Sequence, residues 1–477
     1  MLLADCAHWI VTPESVRLIP IIKTGLDGHY RVDALRQSPL YGLNHGRSHL
    51  LAAGDGGLSQ MAEPVHQNLA GVRVLDITQY IAGPTLGRIL ADLGAEVVKL
   101  EMPPAGEYSR RGGFPPRVEG QSPAYIYYNR GKRSICIDFK RPEGAALVVE
   151  LARHFDIVIE NYTPGVLDKY GLTYEAFKAI NPRIIMCSIS GFGQTGSRVN
   201  LPGNDMTAQA LSGLLHLTGT EDGTPVYPGM YLADAGGGVN GVAAVLAGLY
   251  YRERTGIGQY IDVALYECVF HMHDVFLLQN LFTYGDYNPG PTGRHRPGAT
   301  PCGLFQTSDG WIVFTVLNHQ WERFAQDMGK PELMTDERFS HYSARWDNRH
   351  SLQPIVEEWF RSLGSREDVL KFLLERHYLA APVLDLRETV ELIKSEGRGA
   401  LQNLNVPGYG EIPMPKVPYL FSETQVGFQP ILSMLGEDNR DILSQYLGYS
   451  EQELDELQAA GILIEDPELR ENRERGR

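Results

Sequence analysis

Residues 72–101 read VRVLDITQYIAGPTLGRILADLGAEVVKLE, which predicts a strand, a helix and a second strand in close succession. The apolar run 72–77 predicts the first strand, Gly83 and Pro84 open the helix, and 96–101 predict the second strand. The apolar face of the helix comprises Leu86, Ile89, Leu90 and Leu93. Such a unit of about 30 residues is a βαβ element, on which parallel sheets are built.

The alternation of strand and helix continues toward the C-terminus. It predicts an open α/β sheet with helices on both faces. In sheets of this kind ligands bind beyond the carboxyl ends of the strands, so we expect the functional site there. Further strands are predicted at 134–138, 156–160 and 183–189, and further helices at 142–154 and 173–180.

The pattern changes after residue 230. Two helices are predicted at about 238–255 and 263–283, and a loop rich in Gly, Pro and Arg follows at 288–298. The elements after this loop predict a smaller α+β domain. They are a hairpin of 302–307 and 311–317 and helices at about 319–328, 350–363 and 366–377.

The composition is that of a soluble globular protein, with 43% hydrophobic residues among 477. The formal net charge of −15 argues against a general nucleic-acid or anionic-membrane binder. The five cysteines form no CxxC pair, which argues against a disulfide scaffold or a zinc site. The apolar run 236–251 falls short of the ~20 residues that span a bilayer. We therefore expect a cytoplasmic protein without a metal site or a tightly bound cofactor.

Asp234 is the first candidate for chemistry, because it precedes Gly236, Gly237 and Gly238 at the start of a predicted helix. An Asp at a helix start accepts hydrogen bonds from orphan N–H groups, and the helix dipole favours its negative charge. Both effects predict an ionised carboxylate, which can act as a nucleophile. The glycines would let a substrate approach and would offer N–H groups to an oxyanion. A plain helix cap is the alternative, and the local sequence alone favours it.

Asp205 also stands at the start of a predicted helix, and its simpler interpretation is again a helix cap. Two acids that open two helices of an α/β protein could line one cleft. The motif GFGQTG at 191–196 follows a strand, but loop rather than helix follows the motif. We therefore do not predict a dinucleotide site there.

Basic residues cluster in the first third of the chain. A solvated face is one interpretation of such a cluster. The loop 129–133 lies directly before a predicted core strand, however, and that placement suits phosphate binding equally well. The cluster comprises Arg110, Arg111, Arg130, Lys132, Arg133, Lys140 and Arg141.

Several short motifs, taken in order and spacing, resemble the class III CoA-transferase family. That family includes formyl-CoA and carnitine CoA-transferases and α-methylacyl-CoA racemases. The similarity runs from about Leu69 to about Leu457. The matching motifs are VLD at 74–76, AGP at 82–84, DLGAEVVKLE at 92–101, Asn129 with KRS at 132–134, ENY at 160–162 with PG at 164–165, SISGFG at 188–193, QA at 209–210 with SG at 212–213, Asp234, RERTGIGQ at 252–259 and LGE at 435–437.

The resemblance implies a Rossmann-like large domain built from both ends of the chain, with a smaller α+β domain between them. Two subunits would interlock as a homodimer. We also expect the functional chain to begin near Met61. The expected parts are an N-terminal extension at 1–60 that need not be native, the large domain with linker helices at 61–285, the small domain at 286–385, a return to the large domain at 386–464 and a charged tail at 465–477.

By the same resemblance, Asp234 matches the family's nucleophilic aspartate and Asp205 matches a second acidic position of the active site. The implied reaction transfers coenzyme A from an acyl-CoA donor to a carboxylic acid acceptor through an aspartyl-CoA intermediate. A racemase is one alternative, but it would need a His base where this chain has Asn204, which exchanges no proton near neutral pH. A catalytically silent CoA-binding protein is the other.

The resemblance also implies which residues of this chain bind CoA, because they match positions that contact CoA in the family. Two departures accompany them: Met102 stands where formyl-CoA transferases have an Arg, and their run of four glycines is absent. The loop 288–298 is a candidate to replace that run, and formyl-CoA and oxalate are less favoured as substrates. The implied CoA-binding residues are Ile81, Ala82, Ile137, Asp138, Phe139, Lys140, Asn161, Tyr162, Thr163 and Lys169.

Overall fold

A computed structural model describes residues 67–112, 121–469 and 471 of the protein. These residues all fall in one compact unit, Glu63–Arg477. The predicted extension at 1–60 and most of the charged tail lie outside the described residues, so the expectations for both stay predictions.

A six-stranded parallel sheet forms the centre of the fold. Its strands are β1 (Arg73–Ile77), β2 (Glu96–Glu101), β3 (Lys132–Cys136), β4 (Ile157–Glu160), β5 (Ile185–Ser190) and β6 (Tyr260–Ala264). Their order is β3-β2-β1-β4-β5-β6, which is the Rossmann order and confirms the predicted fold class. The order reverses between β1 and β4, where Ile77 pairs with Glu160. The loops after these two strands therefore border the crevice in which such sheets bind ligands.

Helices cover both faces of the sheet, as the alternating pattern predicted. Val74 belongs to an apolar core shared with the first and seventh helices, whereas its neighbour Leu75 belongs to a second core on the opposite face. This opposition follows from the alternation of side chains along a strand. The first seven helices are α1 (Ala82–Asp92), α2 (Pro123–Asn129), α3 (Pro142–Ala152), α4 (Tyr174–Ile180), α5 (Asp205–Leu211), α6 (Leu214–Leu217) and α7 (Leu232–Thr255).

The longest helix, α7, is long and apolar enough to span a membrane by length and composition, and it is the one such helix among the described residues. Its glycines nevertheless face the protein interior. A Cβ on Gly238 would lie 2.7 Å from the Cβ of Thr85 and 2.8 Å from the carbonyl oxygen of Ala82. Glycine is thus required where α7 crosses α1, and α7 is a core helix of this domain.

The single helix predicted over 263–283 is wrong. Residues 260–264 form the edge strand β6, which pairs in parallel with β5 from Met186 to Ser190. Two shorter helices follow, α8 (Leu265–His271) and α9 (Val275–Phe282), with Asp274 as the N-cap of α9. The strand is only five residues long and is followed directly by an apolar helix. No turn residues therefore mark the point where the strand pattern ends and the helix pattern begins.

The middle of the chain forms a three-stranded antiparallel sheet packed against helices around an aromatic core. The predicted hairpin is confirmed, while the third strand was not predicted. The elements are β7 (Cys302–Gln306), β8 (Trp311–Thr315), α10 (Trp321–Asp327), α11 (Tyr342–Asp347), α12 (Arg349–Leu363), α13 (Arg366–Glu375) and β9 (Leu379–Pro382).

The C-terminal segment returns to the large domain. Ile442, Leu454 and Leu463 lie in the same apolar core as Leu75, which confirms that both ends of the described chain build this domain. The exact limits proposed for the domains stay predictions. The remaining elements are α14 (Leu386–Ser395), the hairpin of β10 (Leu401–Val406) and β11 (Gly410–Pro415), α15 (Asn439–Leu447) and α16 (Glu451–Ala459).

Candidate active site

A cleft of about 610 Å³ opens at the carboxyl ends of β1, β4 and β5. It lies at the place where the strand order reverses, as expected for a ligand site in this fold. The structure brings both predicted acids and half of the predicted CoA-binding residues into this one cleft. They are Ile81, Ala82, Asn161, Tyr162, Thr163, Asp205 and Asp234.

The other predicted CoA-binding residues, Ile137, Asp138, Phe139, Lys140 and Lys169, do not line the cleft. The side chains of Ile137 and Phe139 are buried in the apolar core. The assignment of all five stays a prediction.

The two acids are arranged differently from the expectation. Asp234 is the third residue of α7 and not its N-cap, and the residue at the N-cap position, Tyr231, makes no side-chain cap hydrogen bond. The carboxylate of Asp205 caps the helix instead, because its Oδ1 accepts hydrogen bonds from the backbone N–H of Ala233 at 2.9 Å and from that of Asp234 at 3.1 Å. Asp205 therefore caps the helix that carries Asp234, and the cap interpretation of Asp234 is wrong.

Asp205 is itself held firmly. It is 3% exposed, and its Oδ2 accepts hydrogen bonds of 2.6 Å from the Tyr227 hydroxyl and from the Gln209 amide. It is not the N-cap of α5 either, because Asn204 fills that position with a capping box to Thr207. The predictions missed Tyr227 and the bond of Gln209. The spacing of four between Asp205 and Gln209 was a usable signal, whereas nothing local pointed to Tyr227.

The expectation that its helix position keeps Asp234 ionised is also wrong. Burial, and then the neighbouring charge of Asp205, raise the pKa of Asp234 to about 7. No side chain among the described residues donates a hydrogen bond to this carboxyl, and the N–H groups of Ala233 and Asp234 are bound to Asp205. The cleft therefore holds a carboxyl that is poised between its two protonation states near neutral pH.

The three glycines serve packing and not the substrate. They lie inside α7, where backbone N–H groups bond within the helix. A Cβ on Gly237 would lie 2.3 Å from Leu265, and one on Gly236 would lie 2.8 Å from Met272. The prediction that their N–H groups hold an oxyanion is therefore wrong.

The turn between β1 and α1, which borders the cleft, is held by three neighbouring side chains. Lys99 Nζ donates to the carbonyl of Thr78 at 2.5 Å, and Asn161 makes two hydrogen bonds to the backbone of Gln79 at 2.7 and 2.8 Å. The N–H of Tyr80 donates to Glu107 at 2.8 Å. Tyr80 adopts a φ of 63°, an uncommon conformation for a non-glycine residue, and these contacts keep it there.

The phosphate-binding prediction for the basic loop is wrong for its central residues. Arg130 and Lys132 are buried, and they pair with Asp92 at 2.7 Å and with Asp76 at 2.8 Å. Arg110 is paired in the same way with Glu101 at 2.6 Å. A buried cation that loses its partner is costly, so these residues are structural and not available to a ligand.

Two further expectations concern loops. The motif at 191–196 is followed by loop until α5 begins, as predicted. The loop 288–298 was a candidate to close over the active site. Within this chain it does not line the Asp234 cleft but borders a separate cavity beside Glu221.

The raised pKa of Asp234 predicts how catalysis depends on pH. If the ionised form attacks, kcat/KM should fall about tenfold per pH unit below ~7 and be flat above it. Free carboxylic acids titrate near 4, so an acceptor's own carboxyl does not produce this limb. A pH profile of kcat/KM between pH 5 and 9 measures it. A profile that stays flat down to pH 5 would contradict the raised pKa.

Comparison with known proteins places the chain. A family model described as CoA-transferase family III matches residues 69–439. The chain is 35% identical over 405 residues to the succinyl-CoA–L-malate CoA-transferase beta subunit of Chloroflexus aurantiacus, covering 83% of this chain and 98% of that relative. It is also 35% identical over 405 residues to succinyl-CoA:glutarate CoA-transferase of Mus musculus, covering 83% and 90%.

A solved structure agrees with these relatives. The crystal structure of a CAIB/BAIF family protein from Brucella suis matches with a TM-score of 0.72 at 34% sequence identity, over 80% of this chain and all of that one. The sequence resemblance, the Rossmann strand order and the family match all agree. The chain therefore belongs to CoA-transferase family III.

Proposed function

We propose that this enzyme transfers CoA from an acyl-CoA donor to a carboxylic acid acceptor with Asp234 as the covalent nucleophile. Transfer between a thioester and a carboxylate is the activity of its named relatives, and the covalent step through Asp234 is our assignment. The observation that carries the assignment is the Asp234 carboxyl itself. It lies in the cleft at the reversal of strand order, with no hydrogen-bond donor of its own among the described side chains.

The exchange proceeds in two matched halves. The Asp234 carboxylate attacks the thioester carbonyl, a C–O bond forms, the C–S bond breaks and CoA leaves as a thiolate. The thiolate then attacks the aspartyl carbonyl of the mixed anhydride, which releases the donor as a carboxylate and leaves aspartyl-CoA. An acceptor carboxylate attacks this thioester in the same way, and the freed thiolate takes the acceptor acyl group and regenerates Asp234. The thioester bond is thereby conserved, provided that water is excluded from both anhydrides.

The raised pKa of Asp234 fits this sequence. A carboxylate that is stabilised by several donors is a weak nucleophile, whereas one that burial destabilises gains more from forming a bond. Both carboxylate oxygens of Asp205 already accept hydrogen bonds, from the start of α7, from Tyr227 and from Gln209. We therefore assign attack to Asp234 and positioning of the helix start to Asp205.

We further propose succinyl-CoA as donor and a short dicarboxylic acid as acceptor. The support is the names of the two relatives, which both use succinyl-CoA and transfer CoA to malate or to glutarate. The test is a mass-spectrometric screen of CoA exchange from succinyl-CoA and acetyl-CoA to a panel of mono- and dicarboxylic acids, with Asp234→Ala as control. CoA exchange confined to monocarboxylic acids would refute the proposed dicarboxylic acceptor but not the CoA-transferase activity. Loss of an α-proton from a 2-methylacyl-CoA without any exchange would favour the racemase.

The side chain of Asn204 argues against the racemase. Its Oδ1 accepts the N–H of Thr207 at 3.1 Å, and the Thr207 hydroxyl accepts the N–H of Asn204 in return. The residue is thus committed to starting α5, and it carries no group that titrates near neutral pH.

We propose that the enzyme acts as a homodimer. Two helices of this chain present apolar faces that no described residue covers. On α9, Leu278, Leu281 and Phe282 are 51%, 55% and 82% exposed. On α14, Leu386, Val390 and Ile393 are exposed at helical spacing, and this helix buries none of its residues. Contiguous apolar surface of this kind marks an interface, and a second copy is the occupant that the family resemblance implies.

Sedimentation velocity tests the dimer. We expect a single dimeric species at micromolar concentration, because large apolar interfaces make stable homodimers. Phe282→Asp places a charge in the most exposed part of the α9 face, so it should shift the protein toward monomer. A monomeric wild type at this concentration would contradict the proposal.

A further inference from the structure

Three potential metal ligands converge outside the Asp234 cleft. They are Glu221 in the turn that follows α6, His295 in the loop 288–298 and His350 in the first turn of α12. One ligand atom of each lies within 4.8 Å of the corresponding atoms of the other two. Nε2 of His350 is 2.9 Å from Oε2 of Glu221, and the two imidazole rings meet edge-on with centroids 5.5 Å apart.

The backbone brings these residues together by a close approach. Gly293 adopts a φ of 60°, and a Cβ there would lie 3.0 Å from Cγ of Glu221. Only glycine brings the loop this near without displacing Glu221. His295 is fixed in turn by a bridge to Gly303, the second residue of β7. The three side chains are therefore held by three separate elements that meet at one place.

The chemistry of the three groups is that of a transition-metal site. Two imidazole nitrogens and one carboxylate oxygen form a common set of three protein ligands for zinc. The adjoining cavity of about 680 Å³ leaves room for a water in the fourth position.

The surroundings of Glu221 suit a ligand. Nε of Arg349 lies 3.4 Å from Oε1 of Glu221, on the oxygen that does not face His350. Outer hydrogen bonds of this kind orient ligating carboxylates. The guanidinium holds one oxygen and leaves Oε2 directed toward His350. Arg349 therefore occupies the position of an orienting partner.

We propose that Glu221, His295 and His350 bind one divalent transition-metal ion of the zinc class. The ion joins the turn that carries Glu221 to the small domain. The same segment continues to Tyr227, whose hydroxyl donates to Asp205. Metal binding thus steadies the segment that supports the cap of α7, and it takes no part in the transfer chemistry itself.

Titration of the chelator-treated full-length protein tests this site. We expect isothermal calorimetry to show one Zn²⁺ per chain, and Co²⁺ to give ligand-field absorption in the visible range. His350→Ala removes an exposed ligand with little risk to folding, and it should weaken Zn²⁺ binding at least tenfold. His295→Ala should do the same. His319→Ala, at an exposed histidine of the small domain outside the cluster, should leave binding unchanged.

Two results would overturn the proposal. One is a wild-type protein that binds no stoichiometric Zn²⁺, which would show that Glu221 and His350 form an ion pair only. The other is equal Zn²⁺ affinity in His350→Ala, His295→Ala and His319→Ala, which would place the metal elsewhere. Both results are independent of the transferase assay, since none of the three histidines lines the Asp234 cleft.

Discussion

Asp234→Ala should lower kcat for CoA transfer by about 10⁴-fold or more, because removal of a covalent nucleophile leaves only binding and environment to act. CoA binding should persist, since the cleft keeps its other walls. The matched control is Asp441→Ala, at an exposed acid of α15, which should retain wild-type kcat. Transfer by Asp234→Ala within tenfold of the wild-type rate would contradict the nucleophile assignment.

The same substitution should not destabilise the fold. The Asp234 carboxyl has no hydrogen-bond donor among the described side chains, and burial together with Asp205 raises its pKa to about 7. An acid whose pKa is higher in the folded than in the unfolded state lowers stability as pH rises from its ordinary range toward 7. Thermal unfolding of Asp234→Ala at pH 8 should therefore occur at an equal or higher temperature than that of the wild type. This result would separate loss of the nucleophile from loss of structure.

Asp205→Ala should reduce both activity and stability. It leaves the N–H groups of Ala233 and Asp234 and the hydroxyl of Tyr227 without their acceptor. Loss of a helix cap and of a buried acceptor costs about 1–3 kcal/mol, which chemical denaturation measures as a lower free energy of unfolding. Because the start of α7 carries Asp234, we expect kcat to fall by about 10²-fold, the effect of a misplaced catalytic group.

Asp205→Asn separates the charge of this residue from its hydrogen bonds. The amide oxygen can still accept the two backbone N–H groups. The Gln209 carboxamide, which now donates through Nε2, can turn over so that its Oε1, unpartnered among the described residues, accepts from the new amide. The negative charge beside Asp234 is gone, so the midpoint of the acid limb of kcat/KM should move below pH 7. It should stay above the ordinary value near 4, because burial is the larger cause of the shift.

Either of two results would remove Asp205 from this account. One is an acid limb that Asp205→Asn leaves unmoved, which would show that the charge of Asp205 does not act on the nucleophile. The other is full activity with unchanged stability in Asp205→Ala, which would show that the cap of α7 is dispensable.

Local periodicity predicted much of the sheet. Residues 72–101 contain their βαβ unit in one short stretch, and the strands β4 and β5 follow the same pattern. Each of these strands is apolar and lies between clear helices, so the sequence nearby carries the signal. Strand β6 has no such separation from α8, and for that reason its last two residues, 263 and 264, fall within the predicted helix.

Both predicted acids and half of the predicted CoA-binding residues line the candidate cleft, but the electrostatics of the two acids were not predicted. Asp205 and Asp234 were placed in one cleft as a possibility, yet the sequence favoured an ionised Asp234 that caps its own helix. The actual cap, Asp205, lies 28 and 29 residues before the two N–H groups that it accepts, and burial of Asp234 depends on the complete fold. The burial of Arg130 and Lys132 was not predicted for the same reason, because their partners Asp92 and Asp76 are distant in sequence. Pairings of this kind are tertiary and leave no local pattern.

Trapping of the covalent intermediate tests the central claim most directly. The wild-type enzyme is incubated with a productive acyl-CoA in the presence of hydroxylamine, which converts activated carboxyls to hydroxamates, and its peptides are analysed by mass spectrometry. Borohydride reduction of the thioester provides a second label. We predict both labels at Asp234, only when the acyl-CoA is present and never in Asp234→Ala. Turnover of the substrate with the label on Asp205, or with no label on the protein, would contradict transfer through aspartyl-CoA at Asp234.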